Sequence, residues 1–121
     1  MNDLNRFCCT GHVTRDPELS RLPGGSPVMN FPIAVSEAWT SATTGVREDR
    51  TCFLPVAVYG PYAETLAGII RKGSLVYVDG TLRTNSWERD GRRMSRIQVV
   101  ASRVQAIGPW PRVREGDEEE E

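Results

Sequence analysis

The 121-residue sequence lacks the features of membrane and exported proteins. No apolar run approaches the roughly 20 residues that a membrane-spanning helix requires, and the first residues, MNDLNRF, contain no apolar signal-peptide core. The three cysteines are an odd number without a CxxC pair, which is not the pattern of a disulfide framework. We therefore expect a cytoplasmic protein that makes no membrane contact.

Residues suited to catalysis or to metal binding are also scarce, since the chain has a single histidine. Cys8, Cys9, Cys52 and His12 are the candidates for a thiol nucleophile with its base, or for a zinc site. Side chains alternate along a strand, so Cys8 and His12 would lie on one face and Cys9 on the other. We therefore expect that the protein is not an enzyme and that it has no catalytic residue, metal site or cofactor.

Charge is divided unevenly along the chain. The formal net charge is −1, but residues 115–121 (EGDEEEE) contain 6 of the 16 acidic residues. Residues 1–114 keep 15 basic and 10 acidic side chains, a net charge of about +5. A mildly basic body is typical of proteins that meet polyanions, although a solubilising tail on an ordinary domain explains the same numbers equally well.

Hydrophobic patterning predicts five extended segments and one helix. The segments are residues 5–13, 28–39, 51–60, 74–87 and 94–107, the helix is residues 61–73, and the turn or loop regions are residues 15–27 and 40–50. The β-β-β-α-β-β order with long strands favours an all-β OB-fold, a five-stranded antiparallel Greek-key barrel, in residues 1–107. Residues 108–121 are predicted to form a short flexible acidic tail.

Aromatic residues of the third and fourth segments alternate with aliphatic ones, so the two kinds are predicted to lie on opposite faces. A bulge at Gly80 would reset this alternation. The predicted core set is Leu54, Val56, Val58, Val76, Val78 and Leu82, and the predicted outward set is Phe53, Tyr59, Tyr77, Arg83 and Trp87.

Four of the rings have alternative interpretations. Phe53 and Tyr59 are also suited to a contact with a partner subunit, and Tyr77 to internal packing. Trp39 has the parity of the core residues in its segment, but it borders the polar residues 40–50, where a projecting hairpin would leave the core behind.

Outward rings interleaved with arginines suit a single-stranded nucleic acid. Unpaired bases stack on aromatic side chains at roughly 1–3 kcal/mol per base, whatever the base, and arginines neutralise the phosphates. Trp87 precedes a tight Asp90-Gly91 turn and is flanked by arginines at positions 83, 89, 92 and 93. This hairpin is therefore a candidate platform for unpaired bases.

The chain resembles the bacterial single-stranded DNA-binding proteins over residues 5–107. The resemblance rests on the ordered motifs GHVTRDPELSRLPGG, FPIAVSEAW and VYGPYAETLAGIIRKGSLVYVDGTLRT, followed by a tryptophan and a DG hairpin turn. It implies an OB-fold homotetramer, a dimer of dimers, that binds and protects single-stranded DNA without sequence preference. It further implies a nucleoid-associated role in DNA replication, recombination and repair.

The resemblance also implies which residues form the site. The implied base-stacking residues are Trp39, Phe53, Tyr59 and Trp87. The implied phosphate contacts are Arg6, Arg71, Lys72 and Arg83, to which the residue pattern adds Arg92 and Arg93.

Two departures from the family pattern affect the expected function. Pro55, Pro61, Asn85 and Ser86 stand where many members have lysine or arginine, so we expect weaker or more salt-sensitive binding. The ending GDEEEE lacks the small apolar tip with which family members dock onto replication and repair proteins, so we expect weaker recruitment of such partners. The alternative is an OB-fold accessory module that binds RNA or a protein partner.

Overall fold

The computed structural model describes residues 2–108. The elements in this range are β1 (Phe7–Val13), β2 (Glu18–Arg21), β3 (Pro27–Thr40), β4 (Arg47–Tyr59), α1 (Pro61–Ala67), β5 (Leu75–Arg89) and β6 (Arg92–Ala106). The predicted acidic tail lies outside the described residues, apart from Gly108.

The strands close into a barrel. They form one sheet in the order β1-β5-β6-β4-β3-β2, and β1 also pairs with β3 through His12 opposite Ala34 and Val13 opposite Ile33. This additional pairing closes β1, β5, β6, β4 and β3 into a ring, with β2 attached to the outside of β3. One short helix follows β4. The predicted five-stranded OB-fold is confirmed.

The barrel is filled by aliphatic side chains from every strand of the ring. Met29, Ile33, Val58, Val76 and Val78 have no exposed surface, because strand alternation turns them inward from β3, β4 and β5. The prediction for Leu82 is wrong: this side chain is 38% exposed. Leu82 lies where β5 has already left the barrel, so its parity no longer places it in the core.

The helix is shorter than predicted. It starts at Pro61 as expected but ends at Ala67, and the Gly68 amide bonds the Thr65 carbonyl. Residues 68–73 form turns, and Gly73 has a φ of 93° just before β5. Within residues 2–108, no helix is long and apolar enough to cross a membrane.

Two predicted loops contain strand residues. Residues 15–27 include β2, which pairs with Pro27–Asn30 of β3, and residues 40–50 include the start of β4 at Arg47. All four residues of β2 are exposed. An exposed strand has no alternation of apolar and polar residues, so patterning alone cannot detect it.

Two β-ribbons project beyond the barrel. In the β3–β4 arm (residues 35–52) the pairing continues to Thr40 opposite Arg47. In the β5–β6 arm (residues 82–97) it continues to Arg89 opposite Arg92, around the predicted turn at Asp90 and Gly91, both of which have positive φ. The long strands therefore build two arms as well as a barrel wall.

A register irregularity lies at the base of the β5–β6 arm, at the predicted position. Asp79 is opposite Arg103, whereas Gly80 is opposite Ala101, so the extra residue is Ser102 on β6. The alternation of β5 is preserved, because the insertion is on the other strand. Tyr77 and Trp87 therefore keep the same parity.

Candidate nucleic-acid interface

Phe53 and Tyr59 point away from the core of the barrel. Both alternate with the buried Val56 and Val58 on β4, and they are 66% and 45% exposed. Six residues of strand separate them, which corresponds to roughly 20 Å. We call this side of the sheet the outer face, and Phe53 and Tyr59 lie far apart on it.

Trp87 lies on the outer face of the β5–β6 arm. Cross-strand pairs share a face, and the register places Trp87 opposite Met94 and, two residues closer to the barrel, Asn85 opposite Arg96. The Trp87 ring is 38% exposed, and the guanidinium carbon of Arg96 lies 5.8 Å from its centroid. This distance allows a cation–π contact.

A groove of ≈ 410 Å³ crosses the outer face between β4 and the β5–β6 arm. β4 and β6 are parallel neighbours at Val56 and Val99, so residues just before these positions line the two walls. The groove brings Phe53 next to the arm that holds Trp87. Its lining side chains include Phe53 and Pro55 of β4, Asn85, Arg96 and Gln98 of the arm strands, and Arg15 and Glu18 at one end.

Trp39 lies on the opposite face of the β3–β4 ribbon from Phe53. In the regular β3–β4 register Phe53 is opposite Ala34 and Trp39 is opposite Glu48. Ala34 and Trp39 are five residues apart on β3, and an odd separation places the two cross-strand pairs on opposite faces. The Trp39 ring is 38% exposed, and the guanidinium carbon of Arg50 lies 4.8 Å from its centroid. The parity argument that grouped Trp39 with core residues was correct, but the arm has left the core by this point.

The predicted arginines of the β5–β6 arm divide between its two faces. Arg83 and Arg92 lie on the outer face with Trp87, according to the register. Arg93 lies on the other face, directly opposite Glu88. A carboxylate therefore faces Arg93, whereas the charged side chains on the outer face of the arm (residues 82–97) are all arginines.

Arg6 is paired with a carboxylate on the outer side of β5. Its Nη2 lies 3.0 Å from Oδ2 of Asp79, and the Tyr77 hydroxyl donates a second hydrogen bond of 3.0 Å to the same oxygen. The hydrogen bond to Asp79 raises the pKa of the Tyr77 phenol. Arg6 and Arg83 line a second cleft of ≈ 550 Å³, so Arg6 lies beside Arg83 but its charge is partly neutralised.

Arg71 and Lys72 lie in the turn after the helix, and both are exposed. The Lys72 amide donates a 2.8 Å hydrogen bond to Oδ1 of Asp16. This bond holds the turn against the β1–β2 connection, whose Arg15 lines one end of the groove. Arg71 and Lys72 therefore lie beside the β1–β2 connection, and neither lines the groove.

The sequence interpretation missed Arg96, Arg15 and Gln98. Arg96 was not singled out because it lies nine residues from Trp87 along the chain, although the hairpin register brings it over the ring. Pairing outward from the Asp90-Gly91 turn would have placed Arg96 opposite Asn85 and on the face of Trp87. No local signal identifies Arg15, because its position depends on the barrel.

The three cysteines and the histidine do not all lie on one face of the sheet. Cys8 and His12 are exposed on one face of β1, while Cys9 packs against the core from the other. Burial, together with the nearby Cys8 and Cys52 thiols, raises the pKa of Cys9. Within residues 2–108, no three histidine, cysteine or acidic side chains lie together in a group that could hold a metal ion.

Comparisons with known proteins agree with this geometry. A curated single-stranded DNA-binding protein from Aquifex aeolicus (strain VF5) is 34% identical over 119 residues, which cover 98% of this chain and 80% of that protein. The solved structure of a Plasmodium falciparum SSB complex with ssDNA has a TM-score of 0.80 at 25% identity, covering 89% of this chain and 98% of that one.

A second solved structure is a deletion mutant of the single-stranded DNA binding protein from Thermus aquaticus, with a TM-score of 0.76 and 28% identity. The match covers 87% of this chain and 51% of that one. The model of the single-strand binding protein family matches residues 4–107. The chain therefore belongs to the single-strand binding protein family.

Proposed function

We propose that this protein binds single-stranded DNA without sequence preference, with the outer-face groove as its principal contact. The observation that carries the proposal is a groove lined by the exposed Phe53 ring and by Arg96, whose guanidinium carbon lies 5.8 Å from the centroid of the exposed Trp87 ring. Large rings are normally buried, and exposed rings between cations suit unpaired bases. Family membership and relatives named for single-stranded DNA binding support the same conclusion.

The mechanism combines attraction and stacking. Arginines of the outer face draw in the phosphate backbone and release its counterions. Bases then stack on Phe53 and Trp87, which offer flat surfaces and no fixed pattern of base-edge donors and acceptors. Binding is therefore insensitive to sequence and opposes the re-pairing of the strand, which protects it. No step requires a cofactor or a catalytic residue.

The remaining rings extend the path of the strand. Tyr59 lies on the same face as Phe53 but roughly 20 Å away, so it contacts nucleotides further along the strand. Trp39 lies on the opposite face of its arm, so a strand reaches it only by passing over the edge of the β3–β4 ribbon. We propose stacking at all four rings, with Phe53 and Trp87 as the central pair.

The phosphate contacts differ in how available their charges are. Arg83, Arg92, Arg71 and Lys72 are in none of the ion pairs formed among residues 2–108, and they serve as the main predicted contacts. Arg6 exchanges Asp79 for phosphate when the strand binds. Arg93 faces Glu88 across the ribbon and contributes least.

We further propose the assembly and cellular role that the family resemblance implies. The protein forms a homotetramer, a dimer of dimers, in the cytoplasm, where it covers single-stranded DNA during replication, recombination and repair.

Titration of intrinsic tryptophan fluorescence with oligo-dT tests the proposal. We expect strong quenching at low salt, with an affinity that falls linearly on a log–log plot as salt increases. Oligo-rU and a duplex of the same length are the comparison ligands. No quenching by oligo-dT at low salt would refute DNA binding, and preferential quenching by oligo-rU would favour the RNA-binding alternative.

A further inference from the structure

Arg96 lines the groove and also lies over the Trp87 ring. It lies on β6 three residues before Val99, and Phe53 lies on β4 three residues before Val56, the residue that pairs with Val99. Arg96 and Phe53 both line the groove. Since Arg96 also contacts the Trp87 ring, it stands between the two rings that the proposed function treats as the central pair.

The charge of Arg96 is available. Its cross-strand neighbour is Asn85, which is neutral, so this rung of the ribbon carries a single positive charge. Within residues 2–108 the ion pairs involve Arg6, Arg21 and Arg47, and Arg96 takes part in none of them. Among residues 2–108, Glu18 is the one acidic side chain that lines the groove.

The contact with Trp87 leaves Arg96 able to bind an anion. A guanidinium group that lies over a ring uses its flat face for the contact and keeps its N–H donors around its edge. Those donors match the two oxygens of a phosphodiester. A strand with one base on Phe53 and another on Trp87 carries a backbone phosphate past this position.

We propose that Arg96 binds the phosphate between the nucleotides stacked on Phe53 and on Trp87, and that it holds the Trp87 ring in place while the groove is empty. This inference rests on the proposed function. In this proposal Arg96 supplies the positive charge on a rung where its cross-strand neighbour, Asn85, is neutral. It also distinguishes Arg96 from Arg93, which lies on the other face of the arm.

The test compares Arg96→Ala with wild type by oligo-dT titration over a range of salt concentrations. Loss of one phosphate contact should reduce the magnitude of the log–log salt slope by about 0.7 and weaken binding about five-fold at 0.1 M salt. Arg96→Lys should keep the slope. The double variant Asn85→Arg with Arg96→Asn returns a cation to the same rung and face, and should restore the slope.

Two further measurements separate this role from a structural one. The substitutions Trp39→Phe and Trp110→Phe leave Trp87 as the single tryptophan of the chain. In that background Arg96→Ala should make Trp87 more accessible to acrylamide quenching in the free protein, because the contact between Arg96 and the ring is removed. Arg103→Ala is the matched control: it lies on the same strand, its Nη2 is 3.3 Å from Oε1 of Gln105, and it is outside the groove. We expect no change in slope.

An unchanged slope in Arg96→Ala would overturn the inference, even if the affinity fell. The inference would also be overturned if the double variant Asn85→Arg with Arg96→Asn folds but still shows the reduced slope. Failure of the proposed function looks different, because wild type itself would then not bind oligo-dT at low salt.

Discussion

The two arms are built alike but differ in charge. Each is a β-ribbon beyond the barrel, and each carries one tryptophan with an arginine over its ring, Arg50 over Trp39 and Arg96 over Trp87. The β5–β6 arm contains five arginines and two acidic residues, a net charge of +3, whereas the β3–β4 arm contains two arginines and three acidic residues, a net charge of −1. The same local motif therefore lies in opposite electrostatic surroundings.

The arms also differ in how their tryptophans relate to the groove. Trp87 shares the outer face with the groove, while Trp39 lies on the reverse of the ribbon that carries Phe53. A base can stack on a ring only where the surrounding charges do not repel the phosphates of its strand. We therefore expect the β5–β6 arm to contribute most of the affinity and most of the salt dependence.

Removing the arginines of the two arms should give the largest difference. Arg83, Arg89 and Arg92 lie on the outer face of the β5–β6 arm, and the triple alanine variant should reduce the magnitude of the log–log salt slope by about 2 and weaken binding roughly 100-fold at 0.1 M salt. Arg47→Ala with Arg50→Ala should change the slope less per arginine, because Nε of Arg47 already lies 3.5 Å from Oδ1 of Asp49. Equal changes per arginine would show that the charge difference between the arms is irrelevant.

Replacing the tryptophans one at a time compares the stacking sites. Trp87→Ala should weaken binding to oligo-dT by about 1–3 kcal/mol per site. Trp39→Ala should cost less, because its arm repels phosphates. Fluorescence anisotropy of labelled oligo-dT measures both without relying on the deleted ring. If Trp87→Ala binds like wild type, the β5–β6 arm is not a stacking platform.

Gly80→Ala tests how firmly the β5–β6 arm is attached to the barrel. An added Cβ would lie 2.1 Å from the Val100 carbonyl oxygen, so the β5 and β6 backbones would have to separate. We expect a loss of about 1–3 kcal/mol in the free energy of unfolding, measured by urea denaturation. Gly45→Ala in the β3–β4 arm, where no atom lies within 4 Å of the added Cβ, should cost only about 1 kcal/mol through its positive φ. A smaller loss for Gly80→Ala than for Gly45→Ala would contradict this interpretation.

Neutralising the acidic residues of the β3–β4 arm should give the smallest effect, and one of opposite sign. Glu48→Gln with Asp49→Asn removes two negative charges close to Trp39, and we expect the affinity for oligo-dT to increase a few-fold at low salt. The increase should disappear at high salt, because these exposed charges are screened. A decrease, or an increase that persists at high salt, would rule out electrostatic repulsion as the cause.

Much of the fold was predictable because its signals are local. Alternation along β4 and β5 identified Val56, Val58, Val76 and Val78 as core, and the Asp90-Gly91 pair located the hairpin turn. The same alternation predicted that the Phe53 side chain points outward. The predictions failed where alternation carries no information: in the fully exposed β2, and at Leu82, where a strand of correct parity continues past the barrel.

The candidate site was predictable only in part. The sequence proposes four candidate rings, and the register of paired strands shows that Trp39 lies on one face while Phe53 and Trp87 lie on the other. The sequence indicates Arg6 as a phosphate contact, but only the structure shows that Asp79, 73 residues away along the chain, pairs with it. No sequence feature distinguishes Arg96 from the other arginines of its hairpin.

The sequence alone determined the barrel, its turns and the kinds of side chain that face outward, because backbone preference and strand alternation act between close neighbours on the chain. Only the tertiary structure decided which of those side chains share a groove. The parallel pairing of β4 with β6 brings Phe53 and Arg96 into the same groove. Contacts between residues distant in sequence depend on how strands pair across space, and no local pattern records that pairing.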